Sequence, residues 1–290
     1  MLGDAPSVLD GTLGGGGHAQ AMLEHGARVT ALDRDPEALR DAGERLAPFV
    51  ADGRLRVFRA NYADVDTVPE LGDERFGGIL LDLGVSSHQL DAAERGFTFR
   101  PGAALDMRMG HDAPRTAADL LNEAPETELA WIFREYGDER RAPRLAREVV
   151  RRRATRAFAT SDDLVGAIRG ALGPTSGPTD FARLFQAVRI AVNDELAGLE
   201  RALPALRERL APGGRLAVIA YHSGEDRLVK QAFRAWSTAC TCPPRLPICA
   251  CGGVATGALV TRHAVTAGAA EVADNPRARS ARLRAWQRAA

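Results

Sequence analysis

Twelve residues near the amino terminus, Ser7-Val8-Leu9-Asp10-Gly11-Thr12-Leu13-Gly14-Gly15-Gly16-Gly17-His18, constrain this chain more than any other stretch. The apolar pair Val8-Leu9 runs into a carboxylate, turns through glycines and enters Ala19-Gln20-Ala21-Met22-Leu23-Glu24, a series of good helix formers. In a doubly wound α/β sheet such a turn sits at the carboxyl edge of the first strand, where ligands bind. Glycines let the backbone come close to a ligand, because a Cβ would fill that space. A second strand-like run, Arg28-Val29-Thr30-Ala31-Leu32, ends at Asp33. An acid at the tip of strand two, about 20 residues past the turn, is placed to bind two ribose hydroxyls. A tight turn and a surface Asp account for each feature alone; turn, strand and acid together point to a nucleoside-type cofactor.

Strands and helices continue to alternate. Pro36 to Leu46 reads as a helix with Pro in its first turn. Leu55 to Phe58 reads as strand three, and Ile79-Leu80-Leu81-Asp82 as a buried strand four that again ends in a carboxylate. These units predict a parallel sheet with helices on both faces. From about Leu105 to Thr179 no strand pattern appears, only helical pieces at Thr116–Asn122, Glu126–Tyr136, Ala142–Arg153 and Ser161–Leu172, closed by Gly173-Pro174-Thr175-Ser176-Gly177-Pro178. We therefore expect residues 1–104 and 180–290 to form one discontinuous domain and 105–179 an all-helical insertion. Phe181 to Leu210 reads as a long helix interrupted at Pro204, and Pro212-Gly213-Gly214 as a turn before a strong strand, Arg215 to Tyr221. A helix over Glu225–Trp236 and a strand near Ala258–Val265 complete the pattern.

The loop leaving strand four, Leu83-Gly84-Val85-Ser86-Ser87-His88-Gln89-Leu90, faces whatever the glycine turn holds, so Asp82, Ser86, Ser87 and Gln89 are candidates to line a site. The Asn/Asp-Pro-Pro-aromatic tetrad of many base-amine methylating enzymes is absent there. His222 with Ser223, Glu225 and Asp226 suggests a hydrolase triad, but no nucleophile elbow supports it, and a polar-pocket or loop-bracing role is preferred. Gln186, Arg189 and Asn193 share one helix face, to reach a base or to pack under the insertion. Cys240, Cys242, Cys249 and Cys251 fall in twelve residues around a proline-rich hairpin. Two such pairs fit a four-thiolate zinc site, with surface thiols as the alternative.

Arg134 to Arg156 carries nine Arg against four acids, and the tail from Asn275 carries five Arg and no acid. A charge run is ordinarily a solvated helix face; two of them also fit phosphate contacts. The net charge is zero, so nucleic-acid binding has to come from such patches. No apolar run approaches a membrane span and no signal pattern opens the chain, so no membrane partner and a cytoplasmic location are expected.

Several segments now carry a resemblance. They are Asp10 to His18, Leu81 to Ser87, Glu94-Arg95-Gly96-Phe97-Thr98-Phe99, Leu105-Asp106-Met107-Arg108-Met109, Phe185 to Ile190, Tyr221-His222-Ser223-Gly224-Glu225-Asp226-Arg227 and Asn275-Pro276-Arg277-Ala278-Arg279-Ser280. In this order they resemble the bacterial S-adenosylmethionine-dependent 16S ribosomal RNA (cytosine-N4)-methyltransferase family. Leu210-Ala211-Pro212-Gly213-Gly214-Arg215-Leu216 is similarly common in methyltransferases of this architecture. The resemblance implies a Rossmann-like class I methyltransferase sheet with a helical insertion. It implies S-adenosyl-L-methionine as cofactor, held by Gly16, Gly17 and His18 at the turn, by Asp33 at the ribose, and by Tyr62, Asp82 and Gln89 around adenine and the methionine part. It implies methyl transfer to N4 of a decoding-site (P-site) cytidine of 16S rRNA in the small ribosomal subunit, with the insertion 105–179 as a candidate for RNA recognition. For that reaction the acceptors leaving strand four, Asp82, Ser86 and Ser87, are our candidates to receive the proton.

The family's pattern opens with a further segment before strand one; the expectation is either a misassigned start or a sheet face that is partly uncovered. It also usually has Leu where this chain has Gly224, a mild change if that position lies in a loop. Methylation of another nucleic acid, a non-catalytic cofactor-sensing ribosome binder, and a homodimer stay open as alternatives.

Overall fold

The computed structural model describes residues 1–2, 4–110, 112–240, 242, 251 and 253–290. The chain forms two compact units, one of residues 1–84 with 196–290 and one of residues 85–195.

The first unit begins with β1 (Ser7–Asp10), α1 (Gly17–Glu24) and β2 (Arg28–Asp33), as the opening pattern predicts. The helix α2 (Pro36–Arg45) starts where Asp35 accepts a hydrogen bond from the Glu37 N–H and Pro36 supplies a preset φ. A short α3 (Ala47–Ala51) leads to β3 (Leu55–Arg59) and then to β4 (Phe76–Asp82).

The second unit carries α4 (Ser87–Asp91), α5 (Ala117–Glu123), α6 (Glu126–Glu135), α7 (Ala142–Arg153), α8 (Ser161–Leu172) and α9 (Pro178–Asn193). Its core is apolar side chains at helical spacing, among them Leu120, Phe133, Leu145, Val149, Leu164, Ile168 and Leu184. Thr116 and Asp119 form a reciprocal cap that starts α5, and at the start of α8 the Asp163 carboxylate accepts the Thr160 N–H at 3.0 Å. The unit takes in α9 together with the helical block at 105–179.

The expected helix break lies elsewhere. Asp194, at φ 52°, separates α9 from α10 (Glu195–Glu208), and Pro204 sits inside α10 without ending it. A short acid tolerates the left-handed region better than most side chains, so the chain turns there.

Back in the first unit, β5 (Leu210–Ala220) is longer than expected and absorbs the Pro212-Gly213-Gly214 turn. Phe76 pairs with Leu210 and Gly78 with Arg215, so three extra residues of β5 bulge out, with Gly213 at φ 73°. The chain continues through α11 (Ser223–Trp236), β6 (Gly257–Leu259), β7 (Val265–Thr266), α12 (Ala269–Asp274) and β8 (Arg282–Arg288).

The sheet order is β3-β2-β1-β4-β5-β8-β6, with β7 pairing β8. The five strands β3 to β5 are parallel, and β8 runs antiparallel to β5, pairing Leu216 with Trp286. This is the Rossmann-like class I sheet expected. The strand β8 is a feature the sequence pattern did not reveal. Its alternation is hidden under arginines, yet Trp286 is among the largest fully buried side chains. Among the described residues no helix is long and apolar enough to cross a membrane.

Candidate functional site

Parallel pairing puts the ends of β1, β2 and β4 on one edge, so Asp10, Asp33 and Asp82 gather there. The chain order reverses between β1 and β4, which opens a crevice at that edge. The glycine turn is pinned into it by backbone bonds: Gly11 N–H donates to Leu80 O (2.9 Å) and Leu13 N–H to Leu32 O (3.0 Å). Asp33 accepts the Gly14 N–H at 2.7 Å through Oδ2 and the Asp35 N–H at 2.9 Å through Oδ1. The acid expected to face a ribose thus also ties the turn to the tip of β2. A carboxylate offers about four acceptor sites, so these backbone bonds do not exhaust it.

Gly16 takes φ 74° as the residue before α1, and a Cβ on it would lie 3.0 Å from Leu46 Cδ1 and 3.2 Å from Ala42 Cβ. Packing and backbone conformation both demand glycine here. A Cβ on Gly15 or Gly17 would meet nothing within 4 Å, so those two leave open space. Tyr62 opens a short 3-10 segment after β3, and its Cβ lies 3.2 Å from where a Cβ on Gly11 would be.

Asp82 is the centre of the edge. Its N–H donates to Thr12 Oγ1 at 2.7 Å, fixing the end of β4 to the turn. One carboxylate oxygen accepts the Tyr221 hydroxyl at 3.0 Å, and the other lies 3.3 Å from His18 Nε2. That hydrogen bond raises the His18 imidazole above its ordinary pKa, against the opposing effect of burial. Burial, reinforced by the Asp82 charge, raises the Tyr221 phenol as well, so it stays a neutral donor.

Behind this pair lies Asp10. It is 1% exposed; Oδ1 accepts the Thr12 N–H at 3.1 Å, while buried Oδ2 has no hydrogen-bond partner. Burial lifts its pKa to about 7, with the Asp82 and Asp33 charges adding to the rise and the Thr12 N–H and His18 opposing it. An orphaned carboxylate oxygen, three clustered acids and a glycine cradle suit a cationic nucleoside with free ribose hydroxyls.

The segment after β5 braces the site, as expected of His222. Glu225 Oε2 accepts the Tyr221 N–H (2.9 Å) and the His222 N–H (3.3 Å), and His222 Nδ1 accepts the Glu225 N–H (3.4 Å). This reciprocal cap starts α11 and sets the backbone that carries Tyr221. Gly224 lies in the first turn of that helix and not in a loop. A Cβ on it would lie 3.1–3.2 Å from the His222 ring and 3.2 Å from Leu196 Cδ1, so a larger residue needs these side chains to give by a few tenths of an ångström. Sequence reasoning passed over Thr12 and Tyr221; the one available signal for Tyr221 is its place at the end of the strongest strand.

Ser86 and Gln89 belong to the second unit and cap α4 reciprocally: Gln89 Oε1 accepts the Ser86 N–H (3.0 Å) and Ser86 Oγ accepts the Gln89 N–H (3.2 Å). Ser87 is the first residue of that helix. In the same unit Arg189 forms a two-pronged pair with Glu195, both contacts at 2.8 Å. Asn193 accepts the Met109 N–H and donates to Met107 O, holding a segment in which Met107 takes φ 61°. Those two residues of the α9 face therefore serve packing.

The arginine tail is also partly structural. Arg284 pairs with nearly buried Asp226 at 2.7 Å, Arg282 reaches the same acid at 3.4 Å, and Arg288 donates to carbonyls of Arg207, Glu208 and Leu210. On α7, by contrast, Arg144 and Arg147 are exposed and make no ion pair among the described residues, with Arg151 on the same face. Cys240, Cys242 and Cys251 converge, their sulfurs all within 4.8 Å of one another; Cys249 lies outside the described residues.

The family model of the MraW methylase family matches residues 3–289. A protein of Gemmatimonas aurantiaca named ribosomal RNA small subunit methyltransferase H is 62% identical over 289 residues, covering 100% of this chain and 92% of that protein. Proteins of the same name from Heliobacterium modesticaldum and Anaeromyxobacter dehalogenans are 50% and 52% identical, each covering 97% of this chain and 91% of the relative.

Proposed function

The chain belongs to the MraW methylase family, and from that premise we propose that it transfers a methyl group from S-adenosyl-L-methionine to N4 of the P-site cytidine in 16S rRNA. The names of its relatives support a small-subunit ribosomal RNA substrate. The observation that carries the reading is Asp82, oriented by Thr12, Tyr221 and His18 at the reversal point of the sheet.

Asp33 takes the ribose hydroxyls, and Gly16, Gly17 and His18 meet the cofactor at the glycine turn. Tyr62, Asp82 and Gln89 are the further contacts that the resemblance implies around adenine and the methionine part. The acids at the strand ends offset the positive charge of the sulfonium and the ammonium. When bound, the cofactor supplies an electrophilic methyl group.

The cytosine amino group is a weak nucleophile because its lone pair is delocalised into the ring. The protein's contribution is therefore alignment of nitrogen, methyl and sulfur, an effect worth at most roughly 7–11 kcal/mol. Asp82 accepts a hydrogen bond from N4, favouring its tetrahedral form, and receives the proton directly or passes it to solvent; Ser86 and Ser87 are the further acceptors we assign. Tyr221 holds the carboxylate in place. The target base has to leave its stack or lie in single-stranded RNA. The exposed face Arg144-Arg147-Arg151 of α7 contacts RNA phosphates. Cytoplasmic small subunits are the substrate form.

The test is transfer of labelled methyl from the cofactor to small subunits of a strain lacking the gene, followed by nuclease digestion and mass spectrometry. N4-methylcytidine at the P-site position is the expected product. Label in DNA alone, or cofactor binding without transfer to any RNA, overturns the proposal.

A further inference from the structure

The cysteine cluster lies in the first unit, away from the crevice residues in sequence, and the methyl-transfer reading leaves it unused. Its two legs run antiparallel. Thr256 N–H donates to Trp236 O at 2.9 Å, and further along a Cβ on Gly253 would lie 2.2 Å from Ala239 O. Beyond that, Cys251 Sγ stands 3.8 Å from Cys240 Sγ. Only a glycine at 253 permits so close an approach, and the approach brings the two sulfurs together. The base of the hairpin is fixed by Trp286, whose indole N–H donates to Ser237 Oγ at 3.1 Å, and by the Ala289 N–H bond to Thr256 O at 2.9 Å. Cys242 completes a triangle of three sulfurs, all mutually within 4.8 Å.

We propose that Cys240, Cys242 and Cys251 hold a zinc ion as thiolates. Zinc–thiolate bonds of about 2.3 Å in a tetrahedron put neighbouring sulfurs about 3.8 Å apart, the separation found between Cys240 and Cys251. A disulfide joins sulfurs in pairs, whereas a soft divalent ion takes all three of the sulfurs that meet here. The remaining vertex is open to a further donor. Cys240 and Cys251 are exposed, and among the described residues of the two legs no apolar side chain is buried, so packing alone does little to hold them together. The metal closes it, as structural zinc does in domains too small for a core. On binding, each thiol loses its proton to solvent and the ion exchanges water for sulfur, so no oxidant or reductant takes part.

The whole chain, prepared under reducing conditions without chelators, is assayed for zinc by elemental analysis and then titrated, metal-free, with Co2+. One zinc per chain is expected, and Co2+ gives the intense visible bands of tetrahedral thiolate coordination with charge transfer in the near ultraviolet. Exchanging Cys240, Cys242 or Cys251 singly for Ser weakens binding at least about a hundredfold. Circular dichroism of each variant shows that the sheet remains. Absence of zinc together with absence of the cobalt bands in the unaltered chain overturns the site. A Cys240–Cys251 disulfide in its place, or metal binding that survives all three exchanges, does the same.

Discussion

The Tyr221 hydroxyl donates to Asp82 Oδ1 at 3.0 Å, joining the end of β5 to the end of β4 across 139 positions of sequence. The carboxylate is thereby held from one side by a neutral donor and from the other by His18. A hydrogen bond to a charged group is worth about 1.5–3 kcal/mol. Tyr221→Phe should lower methyl transfer about ten- to hundredfold while calorimetric cofactor affinity stays largely unchanged. Asp82→Asn should retain cofactor binding better than it retains turnover. Equal loss of both in each variant would make Asp82 a binding residue alone.

Asp33 ties Gly14 and Asp35, and it is the acid we propose for the ribose. Replacing it with Ala removes a charged acceptor from both tasks, and affinity for the cofactor should fall at least about a hundredfold. Asp33→Asn keeps one oxygen and should fall between. Titration calorimetry decides; unchanged heats in Asp33→Ala would remove the acid from the cofactor site.

Asp10 makes stability depend on pH. Its folded pKa is raised from the ordinary carboxylate value of 3.8 to about 7 by burial, so the folded protein binds a proton that the unfolded chain has released. Its contribution is favourable at low pH and is lost as pH rises from about 4 through about 7. The full penalty, on the order of 4 kcal/mol, is present above that range. Subtracting the melting curves of Asp10→Asn from those of the unaltered protein across pH 4–8 should isolate this falling limb. A flat difference would mean that Asp10 is ionised throughout.

The two arginine-rich stretches should behave oppositely. Arg144→Glu with Arg147→Glu should leave the melting temperature nearly unchanged, because both side chains are exposed and make no ion pair among the described residues. It should weaken binding to small-subunit RNA and reduce the salt slope by about 0.7–0.9 for each phosphate that is no longer neutralised. Arg284→Ala leaves Asp226 with a weaker partner in a nearly buried position and should cost about 3–5 kcal/mol of stability. Equal effects of the two changes on RNA binding, with stability intact in both, would contradict this division.

Much of this was readable from residue order. Apolar runs that end in Asp10, Asp33 and Asp82 specify parallel strands whose tips share an edge, since right-handed crossovers leave them little choice. The glycine turn and the helical block followed from local pattern as well. Local pattern misplaced the helix break, because Asp194 in a left-handed conformation ends α9 while Pro204 is absorbed by α10. It missed β8, where arginines that pair with Asp226 and with α10 carbonyls mask the alternation of a strand.

The amino-acid order by itself determined the parallel strands, the acids at their tips and the cysteines' closeness along the chain, because strand periodicity, glycine and turn chemistry act over a few residues. Tertiary structure alone decided that Tyr221 and His18 grip Asp82, that Asp10 is buried enough to hold a proton near neutrality, and that three sulfurs meet. Those outcomes depend on contacts between segments far apart in sequence and on the exclusion of water, and neither is set until the sheet has closed.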